Sequence, residues 1–311
     1  MTYLLQTLLP LIFIYAMLSV SLSLLLGHTG IFSMAHAALF GVGAYTFGVL
    51  TVNYGWALLP ACLVAMLACA LVSALIAAPS LRVSGDYFVV ASLGMQVVVS
   101  DVISNWDSVT GGPAGLPGVT RPIIFGIDFS SDAGFLLLVA AVACLTVAVC
   151  AWVVRSPFGR TLHAVRDDEL AAAAMGKRTR TAKIVVATFA GAIAGLAGVL
   201  YAQYLFFLSP ETFVLSTSIT IITMMVIGGM YTVTGAALGA AVIIALPEVL
   251  KELDLEPATA AALQQMLFGA LIMVFMFVRP QGLFGGIGGG VSRLIARRRL
   301  ARGEGGGLAD A

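Results

Sequence analysis

The sequence predicts an all-α polytopic membrane protein, and three observations lead to that prediction. Of the 311 residues, 60% are apolar and only 10% are charged, whereas about 25% are charged in typical soluble domains. The mean hydropathy is +1.04. Apolar runs recur along the chain, each near the roughly 20 residues that cross a hydrocarbon core of about 30 Å. A soluble monomer is therefore excluded, and a net charge of +1 gives no reason to expect nucleic acid as a partner.

Polar breaks divide the apolar runs into about nine predicted transmembrane helices. Three of the runs are rich in Gly, Ser, Thr or Gln, so that eight or ten helices also fit the pattern. The nine predicted spans are Tyr3 to Leu26, Ile31 to Val52, Trp56 to Ala78, Tyr87 to Ser104, Ala133 to Val154, Ile184 to Phe207, Leu215 to Met230, Val233 to Leu250, and Ala260 to Val278.

Basic residues are distributed unequally between the two sets of loops that alternating spans create. One set holds 14 of the 16 Lys and Arg residues, mostly within 155–183 and 279–302, whereas the other holds Arg121 and Lys251 beside nine acidic residues. Because basic residues collect in cytoplasmic loops, we predict an outside N-terminus and a cytoplasmic C-terminus. No Lys or Arg precedes the first span, so we expect a retained helix rather than a cleaved signal peptide.

The predicted spans lack the groups that would supply energy or chemistry. Their middles carry no ionisable side chain, which an ion-coupled carrier usually places there. No phosphate-binding GxxxxGK[ST] occurs, since Gly176-Lys177 is followed by Arg178. The four cysteines fall within apolar runs without metal-ligand spacing. We therefore expect no enzyme activity, metal or cofactor in this chain, and uphill transport would need energy from another protein.

The largest predicted cytoplasmic loop, residues 155–183, has the composition of a short helix. Asp167, Asp168 and Glu169 precede an Ala-rich run, and Gly176 and several basic residues follow it. Acids at the start and bases at the end of a helix suit its dipole. A positive-inside loop that happens to be helical is the alternative interpretation.

This loop resembles the ATPase-coupling loop of ABC importer permeases, in which an acidic residue, two Ala, three variable residues and a Gly follow one another. In this chain Ala171, Ala172 and Gly176 hold that spacing, while the acidic residue is shifted back to Glu169. In the family this helix sits in a groove of a cytoplasmic ATPase, and charged residues can pair at the rim of such a contact. The coupling residues that the resemblance implies are Arg166, Asp167, Asp168, Glu169, Ala171, Ala172 and Gly176.

Six segments along the chain carry a further resemblance, and they are GHTGIFSMAHAALFGVGAY (27–45), LRVSGDYF (81–88), TGGPAGLPG (110–118), GLAGVLYA (195–202), LSPETF (208–213) and FVRPQGLFGG (277–286). Together and in this order, they extend the resemblance over nearly the whole chain and narrow it to the LivM-type permease subunits of branched-chain amino acid importers. Met230-Tyr231-Thr232 departs from the family, whose members commonly have a further small residue there. The resemblance implies a homologous LivH-like second permease, two cytoplasmic ATPases that use Mg-ATP, an external solute-binding protein and a bacterial inner-membrane location.

Two glycine-rich stretches, 27–43 and 228–239, break helical regularity at comparable places in the two halves of the chain. Transporters often build a substrate site from interrupted helices, whose freed backbone groups face a cavity. Close helix packing is the alternative, because Gly lets backbones approach. The glycines of the predicted interruptions are Gly27, Gly30, Gly41, Gly43, Gly228, Gly229 and Gly235.

A corridor for an apolar amino acid should be mostly apolar with a few hydrogen-bonding groups. Ser33, His36, Tyr45 and Gln96 are the candidates within the spans. Three of them have ordinary alternatives: Tyr45 as an interfacial anchor, Gln96 as an interhelical hydrogen bond, and His36 as a satisfied core imidazole. The choice between these roles is open at the level of sequence.

The predicted organisation is a permease domain, 1–284, that contains the loop 155–183 and is followed by a tail, 285–311. The tail has a basic run that suits anionic lipid and a Gly-rich end typical of disorder. The Gly/Pro-rich outer loop, 105–132, suits either contact with an external protein or simple solvation. The predicted function is ATP-driven import of branched-chain or related hydrophobic amino acids. The alternatives are import of urea, short amides, aromatic acids or sugars by the same architecture, and an ion-coupled secondary carrier.

Overall fold

The computed structural model describes residues 2–80, 85–121, 123–124, 127–251 and six positions between 263 and 273. The ninth predicted span lies largely outside these residues, and the tail 285–311 lies wholly outside them. The helices, in chain order, are α1 Thr2–Thr29, α2 His36–Val52, α3 Leu58–Ser80, α4 Gly85–Asn105, α5 Asp107–Thr110, α6 Asp132–Arg155, α7 Pro157–Asp167, α8 Glu169–Ala174, α9 Thr179–Leu205, α10 Leu215–Gly228 and α11 Val233–Lys251.

Several of these helices are long and apolar enough to cross a membrane. A sixth candidate is a pair of helices, Leu215–Gly228 and Val233–Pro247, bent by 120° at a short break, and His36–Val52 is a shorter apolar helix. The predicted all-α, multi-span architecture is therefore confirmed in outline, while the number of crossings and the orientation stay predictions. The five single spans are Thr7–Thr29, Leu58–Ala78, Tyr87–Asn105, Asp132–Arg155 and Thr179–Leu205.

The chain breaks between α1 and α2, within the first stretch where an interruption was predicted. The second span was predicted to begin at Ile31, but the helix begins at His36. Gly30 has a φ of +77° and so turns the chain after α1. With 17 residues, α2 is about 26 Å long, which is shorter than the hydrocarbon core. Its first residues, 35–41, are all buried, so the helix starts inside the bundle.

The second predicted interruption is also observed, between α10 and α11. α10 ends at Gly228, and Gly229 follows with a φ of +123°, which favours glycine. The two helices then diverge by 120°. The departure from the family at Met230-Tyr231-Thr232 therefore lies in this turn, between the two helices.

α9 lies at the centre of the bundle and packs closely on α2 and α3. Its small residues face these neighbours: a Cβ at Gly191 would overlap Ser73, and one at Gly198 would overlap the Phe40 carbonyl. The Ser73 hydroxyl also donates to the Ala187 carbonyl at 2.6 Å. Such small-residue contacts let helix backbones approach where lipid provides no hydrophobic drive between helices.

The ends of the helices sort into two groups, as alternating spans require. At one end Arg166 on α7 donates to the Gly27 carbonyl near the end of α1, and Arg180 on α9 donates to the Ala78 carbonyl near the end of α3. At the other end the hydroxyl of Tyr45 on α2 donates to the carbonyl of Leu208, just beyond α9. The basic loop 155–183 lies at the first of these ends.

Short strands qualify the all-α prediction in the loops at the second end. β1, Leu116–Pro117, pairs antiparallel with β4, Phe207–Leu208, and β2, Ile123–Ile124, pairs with β3, Ile127–Asp128. The TGGPAGLPG segment contributes β1 and forms turns, with positive φ at Gly111, Gly112, Gly115 and Gly118. Backbone pairing thus fastens this segment to the chain that follows α9.

α3 presents an apolar stripe on the outside of the bundle. Its exposed leucines recur every fourth residue, which places them on one face of the helix. An exposed face of this kind suits lipid rather than water as its solvent. The leucines of the stripe are Leu59, Leu63, Leu67, Leu71 and Leu75.

Candidate functional site

Side chains from two other helices cap the buried start of α2. The first N–H groups of a helix have no partner within it, and leaving them bare in the interior would be costly. Three backbone N–H groups at this start donate to side chains of α4 and α10: Met34 to Ser92 Oγ (3.0 Å), Ala37 to Ser218 Oγ (2.9 Å) and Ala38 to Gln96 Oε1 (2.7 Å). α4 and α10 are therefore fastened to α2 at one point inside the bundle.

Gln96 uses both ends of its amide in this arrangement. Oε1 accepts from the Ala38 N–H and, at 3.2 Å, from the Ser218 hydroxyl. Nε2 donates to the Phe213 carbonyl at 2.8 Å and to Ser100 Oγ at 3.1 Å. The residue is 1% exposed. Its geometry is that of an interhelical hydrogen-bond bridge, which was the alternative to a pathway role.

Ser33 and His36, two other candidates for the pathway, lie at the same helix start. Ser33 Oγ accepts from the Ala35 N–H at 3.4 Å. His36 Nε2 is 2.6 Å from Ser21 Oγ on α1, whereas His36 Nδ1 is buried without a hydrogen-bond partner among the described residues. His36 is thus held in the interior through one nitrogen, between α1 and α2.

Tyr45 lies further along α2, in an aromatic cluster. Its hydroxyl donates to the Leu208 carbonyl at 3.2 Å, and its ring meets that of Phe213 edge-on at 5.7 Å between centroids. Phe40 lies 5.1 Å from Phe213 and 5.0 Å from Tyr201. The sequence did not predict this cluster, although Tyr201 and Phe213 belong to the segments GLAGVLYA and LSPETF.

Five of the seven glycines of the two interruptions allow close packing in this structure. Gly30 and Gly229 differ from the others in having positive φ. The packing alternative therefore describes the geometry of five of the seven, and their role in a pathway stays a prediction. At each of the five, an added Cβ would collide with a neighbour: Gly27 with the Met230 carbonyl, Gly41 with the Phe213 side chain, Gly43 with the Gly195 backbone, Gly228 with the Gly235 backbone and Gly235 with the Gly228 backbone.

The basic loop 155–183 contains two helices, α7 and α8, where one short helix was predicted. α7 begins after Ser156, whose hydroxyl accepts from the Gly159 N–H at 3.3 Å, and has Pro157 in its first turn. A Ser cap followed by Pro is a common helix start, so this signal was present in the sequence. α8 begins at Glu169, and Gly176, with a φ of +78°, follows its end.

The charged residues of this loop have different contacts, and they do not form one rim. Asp168 caps α8, because its Oδ1 accepts from the Ala171 N–H at 2.9 Å. Glu169 pairs with Lys183 on α9 at 2.6 Å. Asp167 is exposed and pairs with Arg166 at 2.9 Å. Arg166 also reaches toward the membrane helices, where its Nη1 donates to the Gly27 carbonyl, and the predicted rim contact with an ATPase stays a prediction.

Arg166 joins α7 to both interrupted regions. Its Nη1 donates to the Gly27 carbonyl at 2.8 Å, and its guanidinium lies 4.9 Å from the centre of the Tyr231 ring, in the turn between α10 and α11. Gly27 itself lies against the Met230 carbonyl. A displacement of α7 would therefore act directly on the end of α1 and on the α10–α11 turn.

The other side of the helix pair presents apolar side chains to solvent. Leu170 is 83% exposed and Met175 is 79% exposed, whereas Ala172 is buried toward the protein. Exposed apolar side chains that lie together outside the spans are one sign of contact with a partner. α8 therefore has the features of a docking surface, and Ala172 supports it from beneath.

Two histidines meet at the same end of the bundle. The rings of His28 and His163 are 5.2 Å apart. Burial and the charge of Arg166 lower the pKa of His163, and Asp167 opposes this shift. Among the described residues, no group of three or more His, Cys, Asp or Glu side chains could hold a metal ion.

Comparison with known proteins decides the family. The family described as the permease component of branched-chain amino acid transport systems matches residues 4–276. The chain belongs to this family. This permease is 30% identical over 296 residues to the high-affinity branched-chain amino acid transport system permease protein LivM of Escherichia coli (strain K12), covering 87% of the chain and 67% of that protein.

Other relatives of the permease include a protein that is named for a different transport system. A probable branched-chain amino acid transport permease protein LivM of Methanocaldococcus jannaschii is 25% identical over 222 residues, which cover 68% of the chain and 64% of that protein. The autoinducer 2 import system permease protein LsrC of Escherichia coli O9:H4 (strain HS) is 30% identical over 128 residues, 40% of the chain and 35% of that protein. No solved structure matches the chain significantly.

Family membership and the apolar helices together make the permease a multi-pass protein of the bacterial plasma membrane. Three features described above lie within or beside the spans of this transport protein. They are the capped start of α2, the aromatic cluster and the Arg166 contacts. The roles of the individual residues stay predictions.

Proposed function

We propose that the chain is the membrane-spanning subunit of an ATP-binding-cassette importer for branched-chain or related hydrophobic amino acids. The observation that carries this proposal is the helix pair α7–α8. One side of it exposes Leu170 and Met175, and the other side holds Arg166 against Gly27 and Tyr231. A partner that binds α8 would therefore have a short mechanical route to both interrupted regions.

In the proposed cycle, ATPase subunits supply the energy and this chain converts it into helix movement. Two cytoplasmic ATPases with Mg-ATP close on one another and push α8. Arg166 passes the displacement to the end of α1 and to the α10–α11 turn, which changes access to the pathway. A homologous second permease completes the membrane part, and an external solute-binding protein delivers the substrate. The chain itself carries out no covalent chemistry.

The substrate class is proposed from the relatives that the chain resembles over most of its length. These are named as branched-chain amino acid permeases, whereas the autoinducer 2 relative matches a shorter part of the chain. Uptake of leucine, isoleucine and valine should therefore exceed uptake of sugars, urea or aromatic acids. Competition against labelled leucine in cells that express the complete system distinguishes these classes.

The docking role of α8 is tested by making its exposed apolar positions charged. Leu170→Asp and Met175→Asp should lower ATP-driven leucine uptake at least about tenfold, because a buried carboxylate in an apolar contact is costly. Both side chains are exposed in the isolated chain, so membrane insertion should be unchanged. Tyr54→Asp is the matched control, since Tyr54 is exposed in the turn before α3. Normal uptake by both α8 variants would refute the docking role.

A further inference from the structure

A cavity of about 250 Å³ lies at the end of the bundle opposite α7 and α8. Residues near the start of α1, at the start of α6 and at the end of α9 line it, and it is open to solvent. Its volume lies just below the range of pockets that hold drug-sized molecules, which suits a small ligand. The lining residues are Thr7, Pro10, Arg121, Asp132, Phe135, Tyr204 and Leu205.

The guanidinium of Arg121, which lines this cavity, is held on several sides. The Arg121 guanidinium lies 5.2 Å from the centre of the Phe135 ring and 5.1 Å from that of Phe206. Its Nη2 is 2.7 Å from Asp132 Oδ1, and its Nη1 donates to the Ser130 carbonyl at 2.5 Å. Such contacts compensate a guanidinium for the loss of water.

The two residues of the Arg121–Asp132 ion pair differ in their exposure to solvent. The side chain of Arg121 is 14% exposed and that of Asp132 is 63% exposed. Arg121 Nε is buried and has no hydrogen-bond partner within the described part of the chain. Nη1 and Nη2 can each donate two hydrogen bonds, of which one goes to the Ser130 carbonyl and one to Asp132, and the Asp132 carboxylate is largely exposed.

Phe206, beside Arg121, has an unusual backbone conformation. With a φ of +61°, it is the only non-glycine residue with positive φ in the described ranges. Strained backbone of this kind tends to persist where surrounding structure or function requires it. Here it caps α9 and places the Phe206 ring against Arg121.

We propose that this cavity binds a free α-amino acid with an apolar side chain. Arg121 receives the carboxylate and Asp132 receives the ammonium, while Pro10, Phe135 and Leu205 line the side chain. A cation and an anion 2.7 Å apart match the two charges that an amino acid carries on one carbon. The ligand class rests on the proposed function, but the site is separate from the coupling helices, at the end where the predicted topology places the outside.

A phospholipid headgroup with a phosphate and an ammonium has related chemistry, and the experiment separates it from a free amino acid. Full-length protein is placed in nanodiscs of phosphatidylcholine, with or without phosphatidylethanolamine, and binding of tritiated L-leucine is measured without nucleotide or ATPase. Unlabelled leucine, leucinamide and 4-methylpentanoate are tested as competitors. Leucinamide lacks the carboxylate and 4-methylpentanoate lacks the ammonium, so that each analogue removes one of the two charges.

We expect saturable leucine binding that phosphatidylethanolamine does not reduce. Leucinamide and 4-methylpentanoate should each compete about tenfold to a hundredfold more weakly than leucine, as expected when a charge-assisted hydrogen bond is lost. Arg121→Gln and Asp132→Asn should weaken leucine binding by a similar factor. Arg160→Gln and Asp101→Asn are the matched controls, because both residues are exposed and lie outside the cavity.

Three results would overturn the site: no leucine binding in phosphatidylcholine, equal competition by the two analogues, or suppression of leucine binding by phosphatidylethanolamine. The competition arm uses the unmodified chain, so it decides the question even if Arg121→Gln fails to fold. Because no ATPase is present, failure of this site is distinct from failure of the α8 variants, which tests the proposed function.

Discussion

Gln96 shows how a single side chain can hold three helices together in a membrane interior. A buried polar group is costly unless it is paired, and Gln96 pairs with backbone on α2 and on the Pro210–Phe213 turn and with the Ser218 hydroxyl on α10. The sequence indicated that Gln96 would have a polar partner. It could not indicate which, because Phe213 and Ser218 are more than 100 residues away.

Gln96→Leu should lower the free energy of unfolding by about 1–3 kcal/mol, since it leaves the Ala38 N–H buried without its acceptor. Thermal unfolding of the purified protein in detergent measures the change. Asn105→Leu, an exposed position on the same helix, is the control and should have little effect. Equal melting temperatures for the Gln96 variant and the parent would contradict the capping role.

Gly27 offers a second prediction at the scale of a residue. Gly27→Ala should destabilise the protein by about 1–3 kcal/mol, the usual range for overpacking, because the new Cβ would overlap the Met230 carbonyl. Gly94→Ala on α4 is matched in chemistry but has no heavy atom within 4 Å of the added Cβ among those described. It should be neutral or stabilising by up to about 1 kcal/mol. The same unfolding assay compares them, and loss of stability at Gly94 alone would reverse the interpretation.

Among the elements, the spans were predicted better than the loops between them. α3, α4 and α6 begin and end within about two residues of their apolar runs. α9 begins at Thr179, five residues before its predicted start at Ile184, because a helix can continue beyond the apolar run into polar sequence. α7 was missed for the same reason: it is polar, and hydropathy alone does not detect it.

The junction of α7 with the membrane helices gives a prediction at this scale. Arg166→Ala should reduce leucine uptake per ATP hydrolysed about tenfold, since it removes a charged hydrogen bond to Gly27 and the contact with Tyr231. Arg166→Lys should restore only part of the coupling, because an ammonium lacks the planar fork. Leucine uptake and ATP hydrolysis are both measured in the reconstituted complex.

Arg160→Ala provides the comparison for this experiment, since it removes an exposed arginine from the same helix. Its coupling ratio should match that of the parent. If Arg166→Ala and Arg160→Ala have the same ratio, α7 does not act through Arg166.

For the whole molecule, the sequence predicted the class of protein and the two helix breaks, but not how the breaks meet. Glycine-rich stretches 200 residues apart come together because Gly27 packs on the Met230 carbonyl and Arg166 contacts both regions. Spacing along the chain contains no information about such contacts. Only packing of the complete bundle determines them.

A chain without its own energy source should not concentrate a solute. Reconstituted alone in sealed vesicles, it should accumulate no leucine under a proton or sodium gradient, because its predicted spans carry no ionisable group at their middles. Addition of the ATPases, the second permease and the binding protein should produce ATP-dependent accumulation. Gradient-driven accumulation by the isolated chain would instead identify a secondary carrier.

The side-chain caps on α2 limit which parts of the bundle can separate during transport. Separating α4 or α10 from α2 would break the hydrogen bonds to backbone N–H groups in the interior of the bundle. The free-energy cost rises with each N–H group that loses its acceptor. These three helices should consequently travel as a single rigid unit. Relative movement would then be confined to other contacts, such as the turn at Gly229 between α10 and α11.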